Sequence, residues 1–166
     1  QAGESFAVEL RLRQGDGSYR WYVDTGAPLK DERSRVLKYY GTLTDIDRLK
    51  AASEALRDSE ARQRAIIDNG PECVKLVAAN STLLDMNPAG LRLIEAENRE
   101  AVVGSVVRNL LHPQDRERYH ALHRKALDGH TGQASFRLIG LKGTTRWMSS
   151  HATPMYDAEG QVYAVL

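Results

Sequence analysis

The sequence has very little cysteine, and this scarcity removes several classes of protein from consideration. Cys73 is the only cysteine among the 166 residues, so neither an intrachain disulfide nor a multi-cysteine metal site can form. A single thiol in a chain of this size fits a reducing compartment. We therefore expect a cytoplasmic location.

Long apolar runs and an excess of charge of one sign are also missing. No apolar stretch approaches the roughly 20 residues that cross a bilayer, and the N-terminus lacks the n-region and h-region of a signal peptide. The 23 basic and 22 acidic side chains leave a net charge of +1, so the charge does not indicate nucleic acid or an anionic membrane as a partner. The 42% hydrophobic and 27% charged content is ordinary for a globular protein.

Catalytic and metal-binding motifs are missing as well. The sequence contains no HExxH, no Walker loop and no nucleophile elbow. His120 and His123 share a helix face at i, i+3, but zinc needs three or four convergent ligands. We expect both to be ordinary histidines of a helix surface, with no metal site and no catalytic residues in this chain. An α+β enzyme that uses one of them is the less favoured alternative.

What the sequence does contain is one long uninterrupted helical stretch, residues 44–69. Thr44 is a candidate N-cap with Asp47 three residues on, and Asp45 adds negative charge near the positive end of the helix dipole. This stretch contains no glycine or proline, and the first glycine after it is Gly70. A heptad interpretation gives a seam too polar for a strong zipper. We predict a weak, adjustable coiled coil between two copies of the chain; the alternative is a solvated helix with one apolar edge.

The residues on either side of this helix repeat each other. Arg20 and Trp21 recur as Arg146 and Trp147, 126 residues later. Six further pairs keep the same spacing without a gap: Arg11 and Arg137, Leu12 and Leu138, Gly17 and Gly143, Pro28 and Pro154, Asp31 and Asp157, and Val36 and Val162. A period of this length is typical of a repeated domain. The sequence therefore predicts the closing strands of a first domain, a linker helix and a nearly complete second domain, at residues 1–43, 44–69 and 70–166.

Alternation of polar and apolar residues predicts three antiparallel strands at residues 5–13, 19–27 and 36–42. Without a helix to cover them, they leave an apolar face and an open edge in water. We therefore expect missing residues upstream, and strands that pair with a partner chain or dock on the second domain. For the second domain we predict a helix after the N-cap Asn87, another over residues 113–127, and strands at 73–77, 82–86, 134–141, 145–155 and 161–166.

Four motifs make the chain resemble the PAS family of sensor domains. They are PECVKLV at 71–77, LLDMNPAG at 83–90, GTTRWM at 143–148 and GTLTDID at 41–47. The motifs stand in the order and spacing of the family, and the resemblance covers essentially the whole chain. GTLTDID is similar to the Asp-Ile-Thr signature that closes a PAS core and opens its signalling helix, with aspartate at the last position where the family more often has threonine. The resemblance implies four signal-linker residues: Thr44, Asp45, Ile46 and Asp47.

The resemblance implies an α+β fold in which a five-stranded antiparallel sheet carries short helices over one face and encloses a small pocket. Here a long linker helix and a three-stranded remnant of a preceding PAS domain come first. The implied function is sensing and signal relay in a multidomain protein of the histidine kinase (two-component) or diguanylate cyclase type. The implied partners are a second copy of the chain, joined through the linker helix and sheet surfaces, and a downstream output domain. The alternative is a ligand-free scaffold for dimerisation and spacing.

The residues argue against two cofactors that other PAS domains bind. A covalent flavin switch needs a cysteine in an Asn-Cys-Arg-Phe-Leu-Gln motif, and the corresponding VVRNLLHP at 106–113 has none. Cys73 lies instead on the first strand of the second domain, where a small buried apolar side chain is the simpler interpretation. Haem-binding members place a histidine where this sequence has Arg118, and His120 and His123 point in other directions. We predict no cofactor, and an unidentified small molecule stays open as a ligand.

Strand parity supplies candidates for the walls of the implied pocket. On the strand at 145–155 we choose Met148, Ser150 and Ala152 as inward, because this smaller set leaves room for a cavity. The opposite parity would turn Trp147 inward; on our choice a linker helix or a second protomer covers it. The remaining candidates come from neighbouring elements: Leu110, Leu122, Ala126, Phe136 and Leu138. The alternative is that these side chains simply fill the core.

Overall fold

A computed structural model describes residues 3–166 of the chain. The chain divides into two compact units, the first ending at Arg62 and the second beginning at Gln63. The boundary lies inside one long helix, α1 (Asp47–Asn69). None of the described helices is both long and apolar enough to cross a membrane.

The first unit is a three-stranded antiparallel sheet followed by the first part of α1. Its strands are β1 (Phe6–Arg13), β2 (Tyr19–Lys30) and β3 (Val36–Asp45), and β2 lies in the middle. Of the residues described up to Arg62, only Gly26 is buried. This sheet therefore forms ladders without enclosing a core, and what covers its faces stays a prediction.

The helix begins at Asp47, three residues later than predicted, and Thr44 is not its N-cap. The reason is that the backbone of Thr44 pairs with Val23 in the β2–β3 ladder. The Asp45 carboxylate instead accepts a hydrogen bond from the Asp47 backbone N–H at 2.9 Å. The Asp47 side chain does not close a capping box, because it accepts the backbone N–H of Trp21 at 3.1 Å.

The second unit contains the remaining strands and two further helices: β4 (Lys75–Ala78), β5 (Leu83–Met86), α2 (Pro88–Leu93), α3 (Arg116–Leu127), β6 (Gly132–Ile139), β7 (Thr145–Ala152), β8 (Pro154–Tyr156) and β9 (Val162–Val165). Two short 3-10 turns, Val107–Leu110 and Pro113–Asp115, lie between α2 and α3. The strands form a four-stranded antiparallel sheet in the order β5-β4-β9-β8 and a two-stranded ladder of β6 and β7.

The single strand predicted at residues 145–155 is divided at Thr153. Before this residue the chain pairs with β6, and after it the chain pairs with β9. Thr153 itself exchanges two backbone hydrogen bonds with Leu166, at 3.0 and 2.9 Å. The strands of the second unit therefore form two separate ladders instead of the expected single five-stranded sheet. The reason is that the chain pairs with β6 before Thr153 and with β9 after it.

The strand bounds repeat with the spacing found in the sequence. β1 begins at Phe6 and β6 at Gly132, and β2 begins at Tyr19 and β7 at Thr145, so both pairs are 126 residues apart. The repeated residues thus belong to repeated strands.

The core lies entirely in the second unit. Asn87 begins α2 as predicted, since its side-chain oxygen accepts the backbone N–H of Gly90 at 2.9 Å. The buried cluster draws side chains from both ladders, from α3 and from the connecting segments: Val77, Leu83, Met86, Ile94, Val102, Val107, Leu110, Leu111, Tyr119, Leu122, Ala126, Phe136, Leu138, Ala152 and Val165. The structure thus places the hydrophobic residues between the helices and the inner face of the strands.

Candidate functional site

A cavity of about 630 Å³ lies in the second unit. Most of its lining is apolar and comes from α2, the Val107–Leu110 turn and the strands β6 and β7: Ala89, Leu93, Ile94, Val107, Leu110, Leu111, Phe136, Leu138 and Met148. Small-molecule sites typically occupy roughly 300–1,000 Å³ and are mostly apolar. The cavity therefore has the size and the lining of a site for a small organic ligand.

Side chains of both parities of β7 border this cavity: Met148 and Ser150, and also Ser149 and His151. Exposure alternates along the strand, so that Met148 and Ser150 turn inward and Ala152 is buried. Trp147 has the opposite parity and is 65% exposed. The inward set is the one chosen from the sequence.

Five of the eight predicted pocket residues line the cavity: Leu110, Phe136, Leu138, Met148 and Ser150. Leu122 and Ala152 line a smaller cavity of about 20 Å³, which has room for about one water molecule. Ala126 lines neither, because it is fully buried in the core. Whether any of these residues contacts a ligand stays a prediction.

The sequence analysis missed the polar part of the cavity. Lys75 on β4 has the strand parity of Cys73 and of Val77, and Val77 is buried in the core. Its side chain lines both the large and the small cavity, as do Tyr119 and Ser150. Burial lowers the pKa of Lys75 and raises that of Cys73, because an apolar environment disfavours the charged form of each group. The alternation in PECVKLV could have revealed this inward lysine.

His123 is buried, with only 4% of its surface exposed, so the prediction of a surface histidine was wrong. Its Nε2 lies 3.1 Å from the backbone oxygen of Ala78 and acts as the donor to it. Burial lowers the pKa of His123, and its ring stacks on Tyr119 at 6.0 Å between centroids. The missed signal is the helical spacing i, i+3, i+4, i+7 of the inner face of α3: Tyr119, Leu122, His123 and Ala126.

His120 and Arg118 occupy the remaining positions considered for a cofactor. His120 is partly exposed, and residues 3–166 contain no group of three histidine, cysteine or acidic side chains that could hold a metal ion. Arg118 is exposed and donates to the backbone oxygen of Ser135 at 2.9 Å. Cys73 is a free thiol packed against the core.

An ion pair fixes the start of α3 on β6, which forms one wall of the cavity. The Asp115 carboxylate accepts the Arg137 backbone N–H at 2.9 Å and its Nε–H at 2.7 Å. These hydrogen bonds lower the pKa of Asp115 to about 2. The Arg137 guanidinium also lies over the Trp147 ring, 5.4 Å from its centroid.

The predicted signal-linker residues lie where β3 passes into α1. The Asp45 carboxylate pairs with Arg20 at 3.4 Å, and the Ile46 backbone N–H donates to the Trp21 oxygen at 2.9 Å. With the bond from Trp21 to Asp47, these contacts join the junction to β2.

Lys50 adds a second attachment of α1 within the first unit. Its ammonium lies 5.2 Å from the centroid of the Trp21 ring, and the Arg11 guanidinium lies 5.4 Å from the same centroid. The ammonium also pairs with the Glu9 carboxylate at 2.6 Å. The first turns of the helix are thus held by side chains of β1 and β2.

Asn87 joins the end of α1 to the cavity in the second unit. Its side-chain N–H groups donate to the backbone oxygens of Ile67 and Glu72, both at 2.9 Å. Its side-chain oxygen accepts the backbone N–H of Val74 at 3.0 Å and that of Gly90 in α2. One buried amide therefore connects the last turn of α1 with two segments that line the cavity.

Comparison with known proteins gives matches along most of the chain. A family model of the PAS fold matches residues 67–166, and a second model of the PAS fold matches residues 1–43. The chain is 31% identical over 160 residues to the uncharacterized protein y4lL of Sinorhizobium fredii, covering 95% of this chain and 19% of that protein. It is 29% identical over 170 residues to the two-component sensor PprA of Pseudomonas aeruginosa, covering 96% and 18%. The chain thus spans about a fifth of the length of these relatives.

Solved structures show the same architecture. The PAS domain of an HTR-like protein from Haloarcula marismortui superposes with a TM-score of 0.60 at 16% identity, over 70% of this chain and 94% of that one. Identity at this level is evidence for the fold alone, and it places the antiparallel strands and short helices described above in a PAS-type α+β fold.

Proposed function

We propose that this chain, which belongs to the PAS family, is a sensory and signal-relay module in which the second domain binds a small molecule. The observation that carries the proposal is the cavity of about 630 Å³, lined by side chains of both ladders and of the helices. A domain that served only as a spacer would have no need for an apolar pocket of ligand size, because apolar surface left in contact with water is unfavourable.

We propose the domain organisation read from the sequence: the closing strands of a first PAS domain in residues 1–43, a linker in 44–69 and a second PAS domain in 70–166. The two family matches support it, because the interval that they leave, residues 44–66, falls mostly on α1. The chain itself is proposed to be non-catalytic and cytoplasmic, with its output in another part of a longer protein. The likeness to a two-component sensor favours a histidine kinase as that output.

A second copy of the chain is the proposed partner of α1. No residue of this helix is buried, and its apolar side chains recur at heptad positions, with Leu49 and Leu56 at 69% and 62% exposure. Covering such an edge with its symmetry mate removes apolar surface from water. The polar residues between the apolar positions keep the pairing weak enough for the helices to shift.

The proposed relay runs through Asn87. A ligand that moves the wall of the cavity displaces Val74 or α2, and the hydrogen bonds of Asn87 transfer this displacement to the backbone of Ile67 at the end of α1. Because each of these bonds joins buried or partly buried groups, breaking one is costly. The end of the helix, which is hydrogen-bonded to Asn87, therefore moves with the cavity wall.

Native mass spectrometry of the purified chain tests the binding step. We expect a retained small molecule, and we expect its binding to be weakened or lost in Ser150→Trp, whose indole would project into the cavity and occupy part of it. Ser135→Trp is the matched control, because Ser135 lies on the exposed face of β6 and its replacement leaves the cavity open. Repeatedly empty protein, together with equal behaviour of the two variants, would favour the ligand-free scaffold.

Hydrogen exchange measured with and without the retained molecule tests the relay. Binding should change exchange at residues 63–69, and Asn87→Ala should abolish that change while a ligand still binds. A helix end whose exchange responds equally in Asn87→Ala would contradict the relay through this residue.

A further inference from the structure

Lys75 is a lysine on the core face of a central strand. It is the first residue of β4, two residues after Cys73 and two before Val77, and it has the same parity as both. A lysine on the outer face would extend into water, whereas this side chain lines both cavities. The side chain is partly exposed and borders both cavities, so it can contact a molecule bound there.

The described residues provide no counter-charge for this amine. Every ion pair between residues 3 and 166 joins other side chains, and no hydrogen bond from the Lys75 Nζ is found there. The acidic residue in the cavity lining is Glu72, which is exposed. An ammonium group in an apolar surrounding is unfavourable unless an anion or an acceptor pairs with it.

We propose that the cavity binds a small carboxylic acid with an apolar body, whose carboxylate pairs with the Lys75 ammonium. The apolar body lies against the wall formed by Leu110, Phe136 and Met148. This inference rests on the proposed function, because it names the class of ligand for that same cavity.

The lining selects one negative charge rather than several. No arginine contributes to it, and Lys75 is the lysine among its side chains. A phosphate would bring up to two charges and three strong acceptors, whereas a carboxylate brings one charge that a single ammonium matches. The hydroxyl groups of Tyr119 and Ser150 are further donors on the same lining. Burial lowers the pKa of Lys75, and a bound carboxylate counteracts this effect by favouring the charged amine.

Calorimetric titration of the 166-residue chain with three probes of equal length tests the proposal: octanoate, octanamide and octylamine. We expect octanoate to bind roughly tenfold more tightly than octanamide, which is the size of effect that a charge-assisted hydrogen bond produces. Octylamine should bind least, since its ammonium would face that of Lys75. The expected order therefore depends on charge and not on apolar surface.

The variant Lys75→Met tests whether Lys75 is the group that binds the carboxylate of octanoate. Methionine keeps a long apolar side chain, so octanamide should bind this variant as well as it binds the wild type, and the advantage of octanoate should disappear. Unchanged octanamide affinity also shows that the variant has kept its fold. Lys142→Met is the matched control, because Lys142 is an exposed lysine in the turn between β6 and β7 and its loss should alter none of the three affinities.

Two results would overturn the proposal: equal affinity of wild-type protein for octanoate and octanamide, or an octanoate advantage that survives in Lys75→Met. Both leave the cavity as a binding site, because octanamide still binds, and the proposed sensory function stands. Failure of all three probes to bind the wild type also overturns the acid proposal. In that case native mass spectrometry decides the sensory function separately.

Discussion

The first sheet and the strands of the second unit can be compared hydrogen bond by hydrogen bond. Between β1 and β2 the Gln14 N–H donates to the Ser18 oxygen at 2.7 Å, and between β6 and β7 the Gly140 N–H donates to the Thr144 oxygen at 2.9 Å. These residues are 126 positions apart, as the strands are. The hairpin geometry is thus the same in both places.

The side chains across the two hairpins also correspond. Arg11 lies over Trp21 and Arg137 lies over Trp147, and both guanidinium groups are 5.4 Å from the ring centroid. Burial nevertheless differs sharply, because Gly26 is the one buried residue among residues 3–62, whereas β6 and β7 enclose a core with α3. The comparison teaches that strands and turns follow from local sequence, while a core requires the helices that pack on the strands.

One cross-strand pair in each unit shows how the sequence is related to this difference in burial. In the first sheet Phe6 is opposite Gly26, and a Cβ on that glycine would collide with the Phe6 ring. In the second unit Gly132 is opposite Ala152, and a Cβ on Gly132 would lie 2.8 Å from Leu122. The Phe6 ring covers the glycine in the first sheet, whereas Leu122 of α3 covers the glycine in the second unit.

The largest effect should come from truncating the repeated leucine. At a concentration that keeps the chain monomeric, Leu138→Ala should destabilise the second unit by about 2–5 kcal/mol, because it opens a void in the core. Its counterpart Leu12 is only partly buried, so Leu12→Ala should cost the first unit about 1 kcal/mol. Hydrogen exchange followed by mass spectrometry measures both units in one experiment. Equal losses would break the comparison, since they would show that the first sheet is covered in solution.

Replacing the glycine of the second pair with phenylalanine should lower the stability of the second unit by a somewhat smaller amount. Gly132→Phe should destabilise the second unit by about 1–3 kcal/mol, because the ring must displace Leu122 of α3. Gln133→Phe is the control, since Gln133 is exposed on the other face of β6. Urea unfolding compares the two variants, and a neutral Gly132→Phe would mean that α3 does not pack on β6 as described.

The low-pH stability of the two units should differ because one arginine has a carboxylate partner. Hydrogen bonds from Arg137 hold the pKa of Asp115 at about 2, below its ordinary 3.8. The ionised carboxylate therefore stabilises the second unit fully above about pH 4, and this contribution is lost as the pH falls through about 2. Asp115→Asn should be less stable than wild type at pH 5 and should approach it near pH 2.

Thermal unfolding between pH 2 and pH 6 measures this difference. Arg11, the counterpart of Arg137, has no carboxylate partner among the described residues. Arg11→Gln should therefore shift the curve equally at every pH. A constant gap between Asp115→Asn and wild type would show that the ion pair does not set the pH dependence.

The smallest effect should distinguish the two tryptophans. Trp21 contacts Lys50 of α1, so Trp21→Leu should loosen the first turn of the helix by about 0.5–1 kcal/mol, the range of an exposed cation–π contact. Trp147→Leu should leave that turn unchanged. Hydrogen exchange at residues 47–50 reports the difference, and equal exchange in both variants would remove the assigned role of Trp21.

The elements that local chemistry determines could be predicted from the sequence. The 126-residue repeat is found by comparing the sequence with itself. The Asn87 cap and the inward parity of Met148 and Ser150 depend only on neighbouring residues. The features that the sequence did not predict depend on pairing between distant segments. Thr44 joined a ladder instead of a helix, and the strand around Thr153 changed its partner.

The candidate site shows the same division. Apolar side chains of the cavity follow from strand parity, because alternation is visible in the sequence. Lys75 and His123 were missed, since lysine and histidine are usually surface residues and only the packing of β4 against α3 makes their positions interior. Their chemistry becomes apparent only once both elements are placed.

The hydrogen bonds of Asn87 make this position less tolerant of substitution than the apolar lining of the cavity. Its amide joins four backbone groups in three segments: Ile67 at the end of α1, Glu72 and Val74 before β4, and Gly90 in α2. No other natural side chain of this length presents both a paired donor and a double acceptor; aspartate would repel two of the four groups and leucine would orphan them all. A substitution in the apolar lining of the cavity therefore leaves these four hydrogen bonds in place, and with them the connection to the helix.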